Sequence, residues 1–403
     1  MFGKLQKTGQ AESAQGETSD HIVFVLEFFY PHVGGLETLF QQLAEGLARY
    51  GHRVSVITLW LPGTRLYEQH NGVDILRVKT PPFAQRYWFM LLALPAALKY
   101  ARKATLIHTT TYNAALPAWI AGVIWRRPTV ITVHEVFDEQ WNTLPQLNPI
   151  LGYAFRFVER FILHLPFNHF ICDSNFTARR LQQRMGVPVK NISTVYPAVD
   201  YAFWDRSLHT ARNLHQQLHL DPSVPLYLYF GRVGISKGVE YLIDAAKIVR
   251  ERAPHSHGVL LLARDPQAPY RQIIRRIEAY ALGTHLSILD PVPRADLPSY
   301  LLAANCVVVP SLSEGFGYAA VEAATIGCLV IATTGHSVEE VLADSATFIA
   351  PRNATALAEA ILHAFQYKRS WREPRRFDTE SHVAGVIRVY ANIEGVPAES
   401  AAE

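Results

Sequence analysis

From His21 to Leu59 the chain reads HIVFVLEFFYPHVGGLETLFQQLAEGLARYGHRVSVITL, and its apolar spacing changes twice. A β-branched run leads to a loop with Gly34 and Gly35. Leu36, Leu39, Phe40, Leu43 and Leu47 then follow at the spacing of one buried helical face, and a second apolar run starts at Val54. The same order returns in the middle of the chain. PLYLYFGRVGISKGVEYLIDAAKIVRERAPHSHGVLLLA predicts strand, glycine loop, a helix burying Val239, Leu242, Ile243, Ala246 and Val249, and strand again. Each stretch opens a βαβ unit.

RPTVITVHE and HFICDSNFTARRL continue the pattern in the first half, NCVVVPSLSEGFGYAAVEAA and CLVIATTGHSVEEVL in the second. Short β-branched runs alternating with amphipathic helices predict an α/β protein with parallel sheets covered on both faces. We expect two Rossmann-like domains, 21–200 and 201–374, joined near Pro197–Pro225 and facing each other across a cleft. Ligands of such sheets bind at the carboxyl ends of the strands. Residues 1–20 are polar and lack an apolar core segment, so they read as a loose tail rather than a secretory signal.

Composition narrows the class. With 403 residues, 49% hydrophobic and 18% charged, the chain is neither disordered nor fibrous. No apolar run reaches the ~20 residues of a membrane helix. Cys172, Cys306 and Cys328 sit in or beside apolar runs without metal-binding spacing, which predicts reduced core residues and a cytoplasmic location. In that compartment the Asn-x-Ser/Thr triplets at Asn175, Asn191 and Asn353 are not glycosylated. The net charge of +3 is uneven: residues 1–200 carry 19 Lys and Arg against 14 Asp and Glu, and residues 201–403 carry 19 against 21. The basic first half suits an acidic or membrane-surface partner, and ordinary scatter of surface charge explains it equally.

The loops carry the candidate chemistry. In GRVGISKG, residues 231–238, a strand is expected to end at Phe230, Arg232 and Lys237 follow, and a helix starts near Gly238. Two cations beside a helix N-terminus suit a phosphate, arginine gripping two oxygens and lysine acting as a point charge. Gly34 and Gly35 stand at the same place in the first half, where backbone amides can approach an anion. In PSLSEGFGYAAVEAATIGC, Glu314 lies in a loop after a strand, the amides of Phe316 and Gly317 face out of a helix start, and Glu322 sits one turn inside. Carboxylates accept from sugar and ribose hydroxyls, and amides donate to them. His134 ends a strand on the cleft side. Glu135, beside it, is expected to point the other way and to hold the histidine's loop.

Taken together, GRVGISKG, the Glu314–Glu322 span with seven residues between, TVHE, CDSNFTARRL and the Gly-Gly loop resemble the retaining family 4 glycosyltransferases of group 1, which have the GT-B fold. The likeness covers nearly all of residues 21–370. It implies that Arg232 and Lys237 bind a donor diphosphate, Glu322 the ribose, and Glu314 with the Phe316 and Gly317 amides the transferred sugar. Gly34 and Gly35 would approach the diphosphate, Val292 would line the donor side, and His134 would contact the sugar near its reacting carbon. The resemblance implies no metal and no cofactor beyond the nucleotide-diphosphate sugar, in keeping with the lack of a D-x-D sequence. Phe377–Ile393, within a 375–403 segment, would be the helix that crosses back to the first domain.

Ala263 and Asp265 in LLARDPQ, Asp290 in ILDPVP, and YPAVD at 196–200 depart from the family pattern and bear on how the base is held. Two other readings are a sugar-nucleotide epimerase of related architecture and a silent sugar-nucleotide-binding subunit; retention of Arg232, Lys237, Glu314 and His134 argues against the silent one. The acceptor could be a glycan, a lipid-linked or a small molecule, and nucleic acid is not an expected partner. Tyr87–Lys103 joins bulky apolar groups to Lys99, Arg102 and Lys103, which fits either peripheral contact with an anionic membrane at its inner surface or a buried core helix.

Overall fold

The computed structural model describes residues 20–32, 34–144, 147–264, 267–366 and 372–394. The expected loose tail lies outside the described residues except at Asp20, as do Asp265 and residues 395–403.

The apolar runs of the first half form β1 (His21–Val25), β2 (Arg53–Leu59), β3 (Tyr67–His70), β4 (Val73–Val78), β5 (Leu106–Thr110), β6 (Thr129–Val133), β7 (His169–Cys172) and β8 (Ile192–Thr194). They make one sheet in the order β3-β4-β2-β1-β5-β6-β7-β8, parallel except at the β3–β4 edge pair. The second half forms β9 (Leu226–Arg232), β10 (His257–Ala263), β11 (Leu286–Leu289), β12 (Cys306–Val309), β13 (Val330–Thr333) and β14 (Ala346–Ile349), in the order β11-β10-β9-β12-β13-β14. Apart from the hairpin strand, both sheets run outward in two directions from a central pair, β1 with β5 and β9 with β12. That is the doubly wound order, with its ligand crevice where the direction reverses. The α/β class and paired Rossmann-like sheets agree with the sequence reading.

Continuous apolar strands are buried because helices cover both faces of each sheet. β1, β6 and β12 are buried throughout. The helix Val239–Arg252 buries all five residues assigned to its apolar face. In the helix Gly35–Arg49, Leu39, Phe40, Leu43 and Leu47 are buried, but Leu36 is 42% exposed and lines the cleft. This corrects its assignment to the core face: residue 36 lies in the first turn, beside the crevice rather than over the sheet. The three cysteines are free and buried.

The helix Thr379–Glu394 packs on the first half, with Val383, Val386, Val389 and Tyr390 entering the core around β1 and β2. Tyr390 Oη lies 2.6 Å from His108 Nδ1, and burial lowers His108 to about 3, so this imidazole is neutral. A second tie crosses between the halves near the cleft. Glu340, in the helix Ser337–Leu342, accepts from the amides of Asn175 and Phe176, each at 2.9 Å, at the start of the helix Asn175–Met185. The Tyr196 hydroxyl donates to the same carboxylate.

Candidate active site

Parallel strand ends of both sheets bring the site together. β9 runs through Arg232, two residues past the Phe230 end expected from sequence, because β10 keeps pairing with Gly231 and Arg232. The chain then loops to Gly238, which adopts a left-handed φ of 63° and packs against the carbonyl oxygen of Pro310 so closely that no Cβ would fit. That contact fixes the Arg232–Lys237 loop beside the Pro310–Gly317 loop, across the β9/β12 switch point.

Lys237 Nζ lies 2.8 Å from Glu314 Oε1, and Ser311 Oγ donates to the same oxygen at 2.7 Å. Burial alone would raise Glu314, yet the Lys237 ammonium and these hydrogen bonds hold it below the usual carboxylate range. Burial would likewise lower Lys237, but the charges of Glu314 and Glu135 keep it above its ordinary value. The pair is therefore ionised. The Lys237 side chain remains 36% accessible, so a ligand can reach the cation.

Gly317 caps the helix Tyr318–Thr325 with a φ of 86°. Among the described residues the amides of Phe316 and Gly317 have no protein acceptor. The Phe316 ring belongs to the second half's core, edge-on to Tyr318 and Phe377, so only its backbone faces outward chemistry. Glu322 lies one turn into this helix. Burial raises its carboxyl to about 7, opposed by the Arg294 charge and the Trp204 indole. Val292 follows β11 and packs against the core. One departure noted in the sequence has a partner: Asp290 accepts from Arg264, the residue after Ala263, at 2.7 and 3.0 Å.

From the first half, His134 follows β6. Its Nδ1 lies 2.6 Å from Asp173 Oδ2 and its Nε2 2.7 Å from Thr110 Oγ1. Register explains the trio. Val133 is opposite Cys172 and Thr132 opposite Thr110, so adjacent strands deliver all three side chains to one edge. The two halves touch at this edge, where Gly315 packs on the His134 carbonyl and leaves no room for a Cβ. Gly35 faces Tyr318, whose ring would stand 3.0 Å from a Cβ there. Gly34, its neighbour, is the N-cap of the helix Gly35–Arg49.

The structure thus places His134, Lys237, Glu314, Gly315 and the Phe316–Gly317 amides at one contact between the halves. Gly35 abuts the same helix start, Glu322 lies a turn deeper, Arg232 ends β9, and Val292 follows β11, two strands away from it. One expectation fails. Glu135 does not merely hold a loop: β6 stops at Val133, alternation ends with it, and Glu135 packs against Gly315 of the other half, hydrogen-bonds Ser313 and feels the charges of Glu314 and Lys237. Burial, then the Glu314 charge, raises its carboxyl to about 7, with Lys237 opposing. Asp173, Arg294 and Trp204 are neighbours that sequence reasoning missed, and Glu135 is one that it misread. Asp173 had a signal, since CDSN follows a predicted strand, the next such signal after TVHE.

These two facing doubly wound domains form the GT-B fold. The fold is shared with sucrose-phosphate synthase from Thermosynechococcus elongatus, with a TM-score of 0.71, 21% identity and 94% of each chain covered. It is shared equally with Anabaena HepE in complex with UDP and glucose, with a TM-score of 0.70, 18% identity and coverage of 93% of this chain and 100% of the other. By sequence, residues 33–203 match Glycosyltransferase Family 4 and residues 211–381 match Glycosyl transferases group 1. The chain belongs to this family of group 1, family 4-type glycosyltransferases. A curated relative, the D-inositol 3-phosphate glycosyltransferase of Xylanimonas cellulosilytica, is 24% identical over 390 residues, spanning 89% of this chain and 91% of its own length.

Proposed function

We propose that the protein is a retaining hexosyltransferase that moves a sugar from a nucleoside-diphosphate donor to an acceptor hydroxyl and needs no metal. The observation that carries this reading is the Lys237–Glu314 ion pair at the β9/β12 switch point, within the contact between the two halves. When a donor enters, its diphosphate competes for Lys237, and Glu314 is freed to accept from sugar hydroxyls. Arg232 is the second cation on the departing group. Negative charge grows on the leaving diphosphate as the glycosidic bond breaks, so these cations favour the transition state over the ground state.

Glu322 accepts from the ribose, the Phe316 and Gly317 amides face the sugar, and the Gly34–Gly35 turn approaches the diphosphate. His134, oriented by Asp173 and Thr110, stands at the reacting carbon. HepE, the structural neighbour that holds UDP and glucose, supports a nucleotide-sugar donor.

For the acceptor we favour a lipid-linked molecule at an anionic membrane surface on the cytoplasmic side. Tyr87 and Leu91 are exposed on the helix Gln85–Leu92, and Ile124 and Trp125 on the helix Ala115–Trp125, with Lys99, Arg102, Lys103 and Arg126 exposed as well. Phe89, Ala93, Ala97 and Ala101 are buried, so the Tyr87–Lys103 segment serves the core with one face and presents the other. No described helix is long and apolar enough to cross a membrane. Nucleotide release from UDP-, GDP- and ADP-sugars in the presence of EDTA tests the donor reading. An altered sugar without transfer would indicate an epimerase, and binding without turnover a silent subunit. Co-sedimentation with phosphatidylglycerol vesicles at low and high salt tests the surface.

A further inference from the structure

The helix Pro149–Leu163, between β6 and β7, carries apolar side chains towards the core and towards solvent alike. Inward, Ile162 and Leu163 join the cluster of Ile131, Val133 and Phe170. Outward, Ile150, Leu151, Tyr153, Phe157, Val158 and Phe161 are all exposed, with no cover among the described residues. A helix apolar on both faces is built to be buried on both.

Its three charged residues do not interrupt the outward stripe, because each is engaged elsewhere. Arg156 and Arg160 donate to Asp138 at 2.9 and 3.1 Å, in the short turn Asp138–Asn142. Glu159 is buried and accepts from the amides of Phe137 and Asp138 at 2.9 and 2.6 Å. These charges tie the helix to its own domain and leave the outer face without one.

Charge also decides what covers such a face. An anionic membrane calls for exposed cations beside the apolar stripe, as Lys99, Arg102, Lys103 and Arg126 stand in the segment of Tyr87 and Trp125. Here the cations are matched by acids: beyond the Asp138 bonds, Arg156 and Arg184 face Glu139 at 3.6 and 3.2 Å. A second copy of the chain asks for the reverse. A two-fold axis sets a patch against itself, so a charge near the axis would meet its own sign, and this stripe holds none.

Shape and area agree. Tyr153, Phe157 and Phe161 make one ridge at four-residue spacing, with Ile150, Ala154 and Val158 as a lower ridge beside it. In an antiparallel pair the aromatic ridge of each copy can lie against the low ridge of the other. The three rings, exposed by 63, 72 and 51%, present roughly 300–450 Å². With Ile150, Leu151 and Val158 the stripe approaches the roughly 800 Å² per partner of a stable interface.

We infer that the outer face of the helix Pro149–Leu163 pairs with the same face of a second copy of this chain, forming an isologous dimer through the first domain. The inference rests on no part of the transferase reading.

Sedimentation velocity on the full chain at about 50 μM should give the mass of two chains for wild type. Phe157→Glu sets a charge into the stripe and should weaken association ~100-fold or more, giving the mass of one chain. Because Phe157 is exposed, circular dichroism and the thermal midpoint of that variant should not change. Ala154→Cys leaves the stripe whole and keeps the test decisive if Phe157→Glu does not fold. Mild oxidation should link it into a covalent pair, since the three native cysteines are buried, whereas Tyr87→Cys on another exposed helix should stay single. A one-chain mass for wild type, a two-chain mass kept by folded Phe157→Glu, or no covalent pair from Ala154→Cys would overturn the inference. Binding of a one-chain wild type to phosphatidylglycerol vesicles, lost in Phe157→Glu, would also overturn it and give the face to lipid.

Discussion

The two glycine loops occupy equivalent places, each after the first strand of its domain and ahead of the first long helix, yet they are built for different work. The loop of the second domain carries Arg232 and Lys237, and Gly238 locks it onto Pro310 of the neighbouring strand end. In the first domain, among the described residues from Leu26 to Leu36, there is no Lys or Arg, and Gly35 is pressed against Tyr318 of the other domain. One βα turn has become a cationic cradle held within its own domain; its counterpart has become a smooth surface on which the domains meet. Duplicated architecture fixes where a ligand binds, and the loop chemistry decides which domain handles charge.

Removing the cations should break this contrast most severely. Arg232→Ala with Lys237→Ala should slow nucleotide release by ~10³-fold or more in a steady-state assay, since each cation acts where charge develops. The glycines should part company next. Gly238→Ala must accept both a left-handed φ and a clash with a backbone carbonyl, so we expect a loss of ~3 kcal/mol, visible as a lower denaturation midpoint. Gly35→Ala meets only the edge of the Tyr318 ring at 3.0 Å, so stability should stay within ~1 kcal/mol while donor affinity, measured by calorimetry, falls.

Smaller again is the effect of the Glu340 tie. Glu340→Ala deletes a carboxylate that accepts from two amides at an exposed helix N-terminus, a placement worth about 0.3–1 kcal/mol. The cleft should open more readily, seen as a larger radius of gyration in solution scattering and a donor KM raised a few-fold.

The gentlest probe is pH. Burial holds Glu322 protonated up to about 7, whereas an unfolded glutamate releases its proton near about 4.3. The folded state binds more protons between those values, so this group's contribution is fully present below the unfolded value and declines as pH rises towards 7. Donor affinity should move the opposite way, strengthening as the carboxylate forms. Glu322→Gln should flatten both trends, with thermal melts at pH 5 and pH 8 reading the first and calorimetry the second.

Much of this was legible in the chain because local patterns create it. Val239 to Val249 and Leu39 to Leu47 form buried stripes at helical spacing, and Arg232, Lys237, Glu314 and Glu322 lie in loops that strand–loop–helix patterning places at the carboxyl edge. What escaped depends on register and on contact between domains. Asp173 meets His134 because β6 and β7 align Val133 with Cys172 across 39 residues of sequence. Glu135 was misread because two-residue alternation was carried two residues past the end of β6. Glu340 acts on a helix start 164 and 165 residues away, which no spacing in one sequence can signal. The exposed row Ile150, Tyr153, Phe157 and Phe161 on the helix Pro149–Leu163 has ordinary amphipathic spacing, and only its surroundings show that its apolar face is uncovered.

The central claim is that two side-chain cations, rather than a metal, carry the charge of the leaving diphosphate. Single-turnover release of nucleotide from a bound nucleotide-sugar, in EDTA, comparing wild type with the Arg232→Ala, Lys237→Ala double variant, addresses it most directly. The account predicts rapid release by wild type and a rate ~10³-fold lower in the variant, with the donor still bound. Equal rates in the two proteins, or release by wild type only when a divalent ion is restored, would contradict it.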